Sequence, residues 1–413
     1  MNRPTCSRTG TNSKQNGSLT MSLTSKMPLQ VWILTLSAFA IGTAEFVIAG
    51  VLTQVADSLA ITEGQAGHLI TAYALAIVIG GPVLTLWLAR FDRLKVLVGL
   101  MGLFIAGNLI AAFTTDYSTL LASRVLAGLT QGPFYGIGAV VATQLVSDKL
   151  AGRAVGQMFA GLTLANVLGV PAGAWIGNSF GWNTTFLVVA GLGVVATAAI
   201  LAVIPSQQPE AGRSLKSQIG AFRNTNLLAS LAITVLGWVG FMTFYGYIAP
   251  VAEQVAGFAR ADLSWVLVII GLGLVIGNSL GGRSADTNLS RALIFWPAAM
   301  IVALIVVGVL APFKWPFLIA AFVFGIVSFA NVPPMQMRVM KHGGAAPELA
   351  ATANISAFNI ANALGGVIGG SVVDSSWGAA AIPFAATLIP VAGLVFILMQ
   401  ERRPRSVCPN PIC

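Results

Sequence analysis

The sequence predicts an all-α membrane protein with twelve transmembrane helices in two six-helix, pseudo-symmetric bundles. Three observations predict it. The 413-residue chain is 56% hydrophobic and 8% charged, with a mean hydropathy of +0.84, whereas soluble domains carry about 25% charged residues. Twelve apolar runs lie near 29–54, 66–88, 94–114, 117–143, 152–178, 183–204, 226–250, 262–282, 289–311, 314–337, 348–373 and 378–399, each long enough to cross a bilayer as a helix of about 20 residues. The longest polar interruption, PSQQPEAGRSLKSQIGAFRNT at 205–225, divides these runs six and six.

The remaining elements follow. Residues 1–26 are rich in Ser, Thr and Asn and are expected to form a disordered tail, with no small-residue cleavage pattern after the first span. Bundles are expected over 27–204 and 226–400, joined by the 205–225 loop and followed by a tail at 401–413. The 45 glycines and 19 prolines suit membrane helices, which tolerate both and use small residues for close packing. The charged stretch closing the second run, at Ala89 and Arg90, has a counterpart at Asp286, 197 residues on. Gly169 and Gly173 have counterparts at Gly365 and Gly369, 196 residues on. A duplicated six-helix unit accounts for both echoes and places a substrate site at the repeat interface; coincidence in a glycine-rich chain is the alternative.

Charge sets orientation and excludes function classes. With the N-terminus inside, every Lys and Arg falls in an inner segment except Arg124, Arg260 and Lys314, so both termini are expected in the cytoplasm. The protein is then expected to be multi-pass, and the resemblance set out below implies a bacterial inner membrane. The net charge of +9 and pI near 9.9 describe inner loops facing anionic lipid, not a nucleic-acid surface. Cys6, Cys408 and Cys413 form no CxxC pair and the two histidines, His68 and His342, are too few for a metal centre, so no metal and no cofactor is expected. No G-x-x-x-x-G-K-[ST] loop, paired catalytic carboxylates or G-x-S-x-G element appears, which argues against an ATP-driven pump and against an enzyme.

Glu45 is the only charged residue between Lys26 and Asp57. A carboxylate within a span costs several kcal/mol, so it needs a partner, a proton or a water-filled cavity. Arg124 is the one basic residue placed inside a span. From the outer ends of their helices Glu45 lies about 14 Å deep and Arg124 about 10 Å deep, at 1.5 Å per residue. An ion pair between them is therefore expected if their helices face one cavity, and pairing would offset two burial costs. The alternatives are an Arg124 that snorkels to the interface near Asp116 and a purely structural Glu–Arg pair.

Several stretches together resemble the major facilitator superfamily, in its drug/proton antiporter group, over residues 27–400. GTAEFVIAGVL at 42–52 resembles the element G-T-x-E-F-x-x-x-G of arabinose-type efflux permeases and contains Glu45. TLWLARFDRLK at 85–95 resembles the loop G-x-L-A-D-R-x-G-R-K, with Thr85, Ala89 and Asp92 departing from it; the second copy runs Gly282 to Asp286. By this resemblance Arg90, Asp92, Arg93 and Asp286 belong to a conformational charge clamp. SRVLAGLTQG at 123–132 reproduces R-x-x-x-G-x-x-x-G. GLTLANVLGVPAGAWIG at 161–177 resembles the Gly/Pro stripe of antiporters, with Gly169, Pro171 and Gly173 at its centre and Val170 interrupting it; plain helix packing also explains it. FYGYIAP (244–250) and SAFNIANALGG (356–366) resemble sugar, purine-nucleoside and chloramphenicol exporters.

The resemblance implies the major facilitator fold and a monomeric, proton-coupled efflux antiporter working by alternating access. Glu45 and Arg124 would couple the proton. Its partners would be protons, membrane lipid and a small neutral or weakly charged cargo such as a sugar, a nucleoside or a phenicol; nucleic acid is not among them. Candidate cargo contacts are Tyr73, Gln131, Tyr135, Asn166, Tyr245, Asn331, Gln336 and Asn359. Asn359 and Asn362 share a helix face, as glue between helices or as cargo ligands. An uptake symporter of the same fold is the alternative function.

Overall fold

The computed structural model describes residues 27–88, 90–147, 150–207, 224–343 and 347–402, and among them every regular element is helical. The expected N-terminal tail, Ala89, most of the central loop, the three cysteines and residues 403–413 of the expected C-terminal tail lie outside the described residues; Glu401 and Arg402, expected in that tail, instead finish the last helix. Eleven helices among those described are long and apolar enough to cross a membrane.

Helices α1 (Leu29–Phe46) and α2 (Ile48–Leu59) form one rod interrupted at Val47, whose backbone stays helical at φ −61° and ψ −26°. Then come α3 (Glu63–Leu88), α4 (Arg93–Phe113) and α5 (Tyr117–Gln144). Helix α6 (Ala151–Leu164) passes through a π turn at Ala165–Gly169 into α7 (Val170–Phe180). Pro171 explains the wider turn, because proline donates no hydrogen bond and its ring crowds the carbonyl four residues back. Gly181, at φ +90°, makes the corner into α8 (Trp182–Val203).

The later part of the chain contains α9 (Thr225–Tyr245), a short helical and π stretch over 248–255, α10 (Leu263–Leu310), α11 (Lys314–Phe329), α12 (Val332–His342), α13 (Pro347–Val373) and α14 (Ile382–Arg402). The expected gap between 282 and 289 is not a loop: the chain stays coiled through it. The break is confined to Asn288, which is extended at φ −156° and ψ 93°. Its Oδ1 accepts the N–H of Arg291 at 3.0 Å, the arrangement by which an asparagine caps a new helix.

Other ends are capped with equal economy. Thr62 and Gln65 form a reciprocal capping box on α3. Asp92 caps α4, accepting the Lys95 N–H at 3.0 Å and the Ser206 hydroxyl at 2.5 Å. The Ser206 bond, then the Lys95 backbone bond, hold the Asp92 carboxyl below the usual carboxylate range.

Polar contacts divide unevenly between the two ends of the molecule. At the end carrying Leu59, Glu63 and Asp374, the parts of the chain before 208 and after 223 are cross-linked. Asp374 accepts from the Thr62 hydroxyl (2.6 Å) and the Gly64 N–H (3.0 Å), and Thr53 donates to Glu253 (2.8 Å). Arg260 pairs with Asp57 at 2.8 Å, and Gln254 donates to Glu63 at 2.7 Å. At the opposite end, the described contacts stay within one part: Arg93 with Gln144, Asp92 with Ser206, Asn224 with His342, and Arg338 with Glu401. The largest apolar cluster follows the same division, running from Phe46 to Leu52 on one side into Trp238 to Tyr247 on the other.

The glycine stripe of α6 and α7 has a definite partner, the α1–α2 rod. A Cβ on Gly161 would lie 2.2 Å from the Thr35 carbonyl oxygen. On Gly169 it would meet Thr43 at 2.1 Å, on Gly173 Val47 at 2.3 Å, and on Gly177 Val51 at 2.6 Å. Members four residues apart thus press one helix face against the helix that carries Glu45. Gly156, on the same helix, has nothing within 4 Å of its would-be Cβ. Gly161→Ala should therefore destabilise the detergent-solubilised protein by about 2 kcal/mol, as overpacking against backbone does. Gly156→Ala should be neutral or stabilising by up to about 1 kcal/mol through helix propensity. Thermal unfolding of the two variants side by side checks the contrast.

Candidate functional site

Glu45 sits in the last turn of α1 and is 7% exposed. Both carboxylate oxygens are satisfied, by amides from two different helices. Gln131 Nε2, on α5, donates to Oε2 at 2.7 Å. Asn362 Nδ2, on α13, donates to Oε1 at 3.2 Å. Each amide is held in turn from behind. The Tyr73 hydroxyl donates to Gln131 Oε1 at 2.9 Å, and Trp238 Nε1 donates to Asn362 Oδ1 at 2.9 Å. A charge buried this deeply is tolerated because ordered dipoles replace its water.

The expected Glu45–Arg124 ion pair does not form: no nitrogen of Arg124 lies within 4 Å of the carboxylate, and the ion pairs recorded among the described residues are elsewhere. Arg124 is 1% exposed and does not snorkel. Its Nη2 donates to the Ala44 carbonyl at 2.7 Å, and its guanidinium lies over the Tyr73 ring at 4.3 Å and the Phe186 ring at 5.7 Å. The reason is register. Gln131 stands seven residues after Arg124 on the same face of α5 and takes the direct contact, leaving Arg124 to act on Glu45 through space. Estimates of depth along separate helices match within a turn but say nothing of which side chain is nearer.

The other residues singled out from the sequence fall into separate groups. Tyr135 donates to the Ala38 carbonyl (3.2 Å) and stacks on Phe159. Asn166, Asn331 and Asn359 each donate their amide N–H to the carbonyl four residues back, and the Oδ1 of each is buried without a partner. A backbone carbonyl only accepts, so these side chains cannot be flipped, and each presents a bare acceptor. Asn108 on α4 shows the same pattern. Tyr245 stacks on Phe241, with ring centroids 4.9 Å apart, and its hydroxyl is also buried and unpartnered. Gln336 accepts from Asn354, which accepts from Thr234.

The clamp residues lie apart from all of these. Arg90 rests over the rings of Trp87 and Phe91, Arg93 meets Gln144, and Asp286 lies in α10 two residues before the Asn288 cap. Gly169 and Gly173 pack on the α1–α2 rod, and Pro171 opens α7.

Two residues of the central network escaped the sequence reading as site residues: Asn362 and Trp238. The available signal was an amide in an otherwise apolar helix; nothing in the sequence tells which of Asn359 and Asn362 faces Glu45. Arg124→Lys should lower stability by about 1–2 kcal/mol, because a lysine keeps the charge but not a plane that stacks on Tyr73 while bonding Ala44. Thermal unfolding of the variant beside the parent protein measures it.

Comparisons with known proteins agree on what carries this site. Residues 34–370 match the Major Facilitator Superfamily. The chain is 37% identical over 376 residues to the inner membrane transport protein YdhP of Escherichia coli (strain K12), covering 91% of this chain and 97% of that protein. It is 29% identical over 373 residues to a chloramphenicol resistance protein of Streptomyces lividans, covering 89% and 95%. The fold superposes on the crystal structure of a D-xylose-proton symporter with a TM-score of 0.77 at 15% identity, covering 90% of this chain and 97% of that one. With matches of this length, the chain belongs to the Major Facilitator Superfamily: it is a multi-pass membrane transporter and not an enzyme.

Proposed function

We propose that the protein is a proton-driven efflux antiporter in which Glu45 is the proton site. The observation that carries this reading is the environment of the Glu45 carboxylate, buried in an apolar helix and held by two neutral amides with no cation within 4 Å. A carboxylate paired to a guanidinium must break that bond to be protonated. One held by amides gains or loses a proton while Gln131, bound from behind by a hydroxyl, only exchanges its donor for its acceptor role. Arg124, fixed on Ala44 and Tyr73, supplies a standing positive field that keeps the ionised form accessible.

Cargo is a small, neutral or weakly charged molecule. The unpartnered acceptors Asn166 Oδ1, Asn331 Oδ1 and Asn359 Oδ1, with the Tyr245 hydroxyl, call for a molecule with hydroxyl or amide hydrogens, as sugars, nucleosides and phenicols have. The name of the Streptomyces relative agrees with the last of these. Efflux is favoured by the Gly161–Gly177 stripe against α1, whose sequence resembles antiporters.

The same reading takes α10 as two spans joined at Asn288. A helix of 48 residues would be about 72 Å long, against about 30 Å of hydrocarbon. That gives twelve crossings in two bundles, 27–204 and 226–400, with both termini in the cytoplasm. Polar cross-links at the end bearing Asp374 then close the outer face, so this is an inward-facing arrangement.

Inverted vesicles energised with a pH gradient should accumulate at least one of chloramphenicol, arabinose or a purine nucleoside. Glu45→Gln should reduce that accumulation by about tenfold or more while leaving energy-independent counterflow, because a proton step and not binding has been removed. Full coupling in Glu45→Gln would remove the carboxylate from the mechanism. Accumulation confined to right-side-out vesicles would make the protein a symporter.

A further inference from the structure

The hydrogen bond from Asn362 to Glu45 differs from every other cross-link between the two parts of the chain. The rest among the described residues lie toward the end bearing Asp374: Arg260 with Asp57, Thr53 with Glu253, Gln254 with Glu63, Asn178 with the Arg260 carbonyl, Thr62 and Gly64 with Asp374, and Thr71 with the Ala363 carbonyl. Asn362 lies twelve residues from Asp374 along α13, about 18 Å at helical rise. Beyond it, toward the start of α1 and the end of α14, no described hydrogen bond or ion pair joins the two parts. It is the innermost polar link and the only one of these with its acceptor on a titratable group buried within a membrane-crossing helix.

Its chemistry is also asymmetric. Gln131 is adaptable: its oxygen accepts from a Tyr73 hydroxyl, and a hydroxyl both donates and accepts, so the amide flips without losing that partner. Asn362 has no such freedom. Its oxygen is bound by the indole N–H of Trp238, which only donates, so its own N–H must point at Glu45. Trp238 is itself fixed, stacked on Phe241 at 4.3 Å and edge-on to Phe358 at 5.1 Å. The Asn362 side of Glu45 is thus a fixed donor, suited to an ionised acceptor and unable to receive a proton.

We propose that Asn362, locked by Trp238, is the positioning residue through which the ionisation of Glu45 controls the conformational exchange. With Glu45 ionised, the bond is charge-assisted and holds α13 against α1, keeping the empty carrier closed at the end bearing Asp374. A proton on Glu45 moves from solvent to the carboxylate, with no other bond made or broken covalently. It enters on the Gln131 side, where the new carboxyl O–H donates to the oxygen of a flipped amide, and the Asn362 bond is left as a weaker neutral contact. The carrier is then free to exchange. This rests on Glu45 being the proton site and adds a rule to it: an unprotonated, empty carrier does not turn over, which is what exchange without leak requires. The groups that face Glu45 besides these amides are Arg124, Tyr73 and Tyr135. Neither tyrosine hydroxyl bonds the carboxylate, and Arg124 is held off it by Ala44.

The test uses the full-length protein with Cys6, Cys408 and Cys413 changed to Ser and nitroxide labels on cysteines placed at Ser147 and Lys341. These are exposed positions near the ends of α5 and α12. Electron–electron distance distributions are recorded at about pH 5.5 and about pH 8.5, with points between. The parent is expected to shift its population between the two pH values by about fivefold, the difference between a charge-assisted and a neutral hydrogen bond. Asn362→Ala should abolish the shift. Trp238→Phe should also flatten it while leaving Asn362 in place, because the freed amide then flips and bonds Glu45 in either state. If both variants shift as the parent does, the proposal falls and Glu45 stands as the proton site through some other contact. If the parent does not shift, or shifts equally as Glu45→Gln, the proton-site reading falls too. Should Asn362→Ala fail to fold, Trp238→Phe decides alone: a retained shift overturns the proposal and a flattened one supports it.

Discussion

A negative charge has to be solvated inside a membrane protein, and the way this chain solvates Glu45 fixes the positions of four other helices. The carboxylate takes one amide from α5 and one from α13. The α5 amide needs Tyr73 on α3, and the α13 amide needs Trp238 on α9. Each member of this set needs its partner, since each buried donor or acceptor left unmatched would cost about 1–3 kcal/mol. The rod carrying Glu45 is located independently by small residues. Gly161, Gly169, Gly173 and Gly177 leave no room for a side chain against α1 and α2, so the carboxylate is delivered to its amides by backbone packing and not by a flexible arm.

The two ends of the molecule use different physics. Where Asp374 meets the start of α3, the attraction is between a carboxylate and the exposed N–H groups of a helix N-terminus, reinforced by the Thr62 hydroxyl. Gly64 and Gly370 bring the two backbones together there: a Cβ on Gly370 would lie 3.1 Å from the Gly64 Cα. Such contacts are strong together but each is small and partly exposed, so they yield in steps. The start of α1 and the end of α14 lie at the other end, where Arg338 pairs with Glu401 and Asp92 holds Ser206. These bonds brace each part internally, and none of them joins one part to the other. A rocking transporter needs this division: rigid units and a breakable seam.

Much of this was legible in the sequence and some was not, for identifiable reasons. An all-helical membrane fold follows from composition and from apolar runs, because in lipid every backbone group must be satisfied within its own helix. Family membership was carried by short motifs around Glu45, Arg124 and the glycine stripe. That Glu45, Gln131 and Tyr73 mattered could be read from their being polar within apolar helices. Their mutual contacts could not, since contact depends on helix rotation: Arg124 and Gln131 share a face of α5, and only the structure shows that Gln131 is the nearer. Asn362 was hidden for the same reason, lying one turn from Asn359. Local chemistry misled at 282–289, where charged residues read as a loop and a single asparagine cap sufficed to restart the helix.

The choice of amides over a direct ion pair has a consequence for energy coupling. A buried carboxylate bonded to a guanidinium is held in its charged form by several kcal/mol, and the proton-motive force would be spent in breaking that pair before moving anything. Here Arg124 is close enough to bias Glu45 and is prevented from capturing it, because its nitrogen is committed to the Ala44 carbonyl and its plane to Tyr73. The carbonyl that restrains it belongs to the residue next to Glu45, so any movement of α1 that carries the carboxylate carries the restraint as well. On the proposed reading, the field at the proton site stays the same in either arrangement of the helices, and what changes is the donor from α13. Separating the constant bias from the variable contact would let a proton on Glu45 report on conformation and not merely on burial.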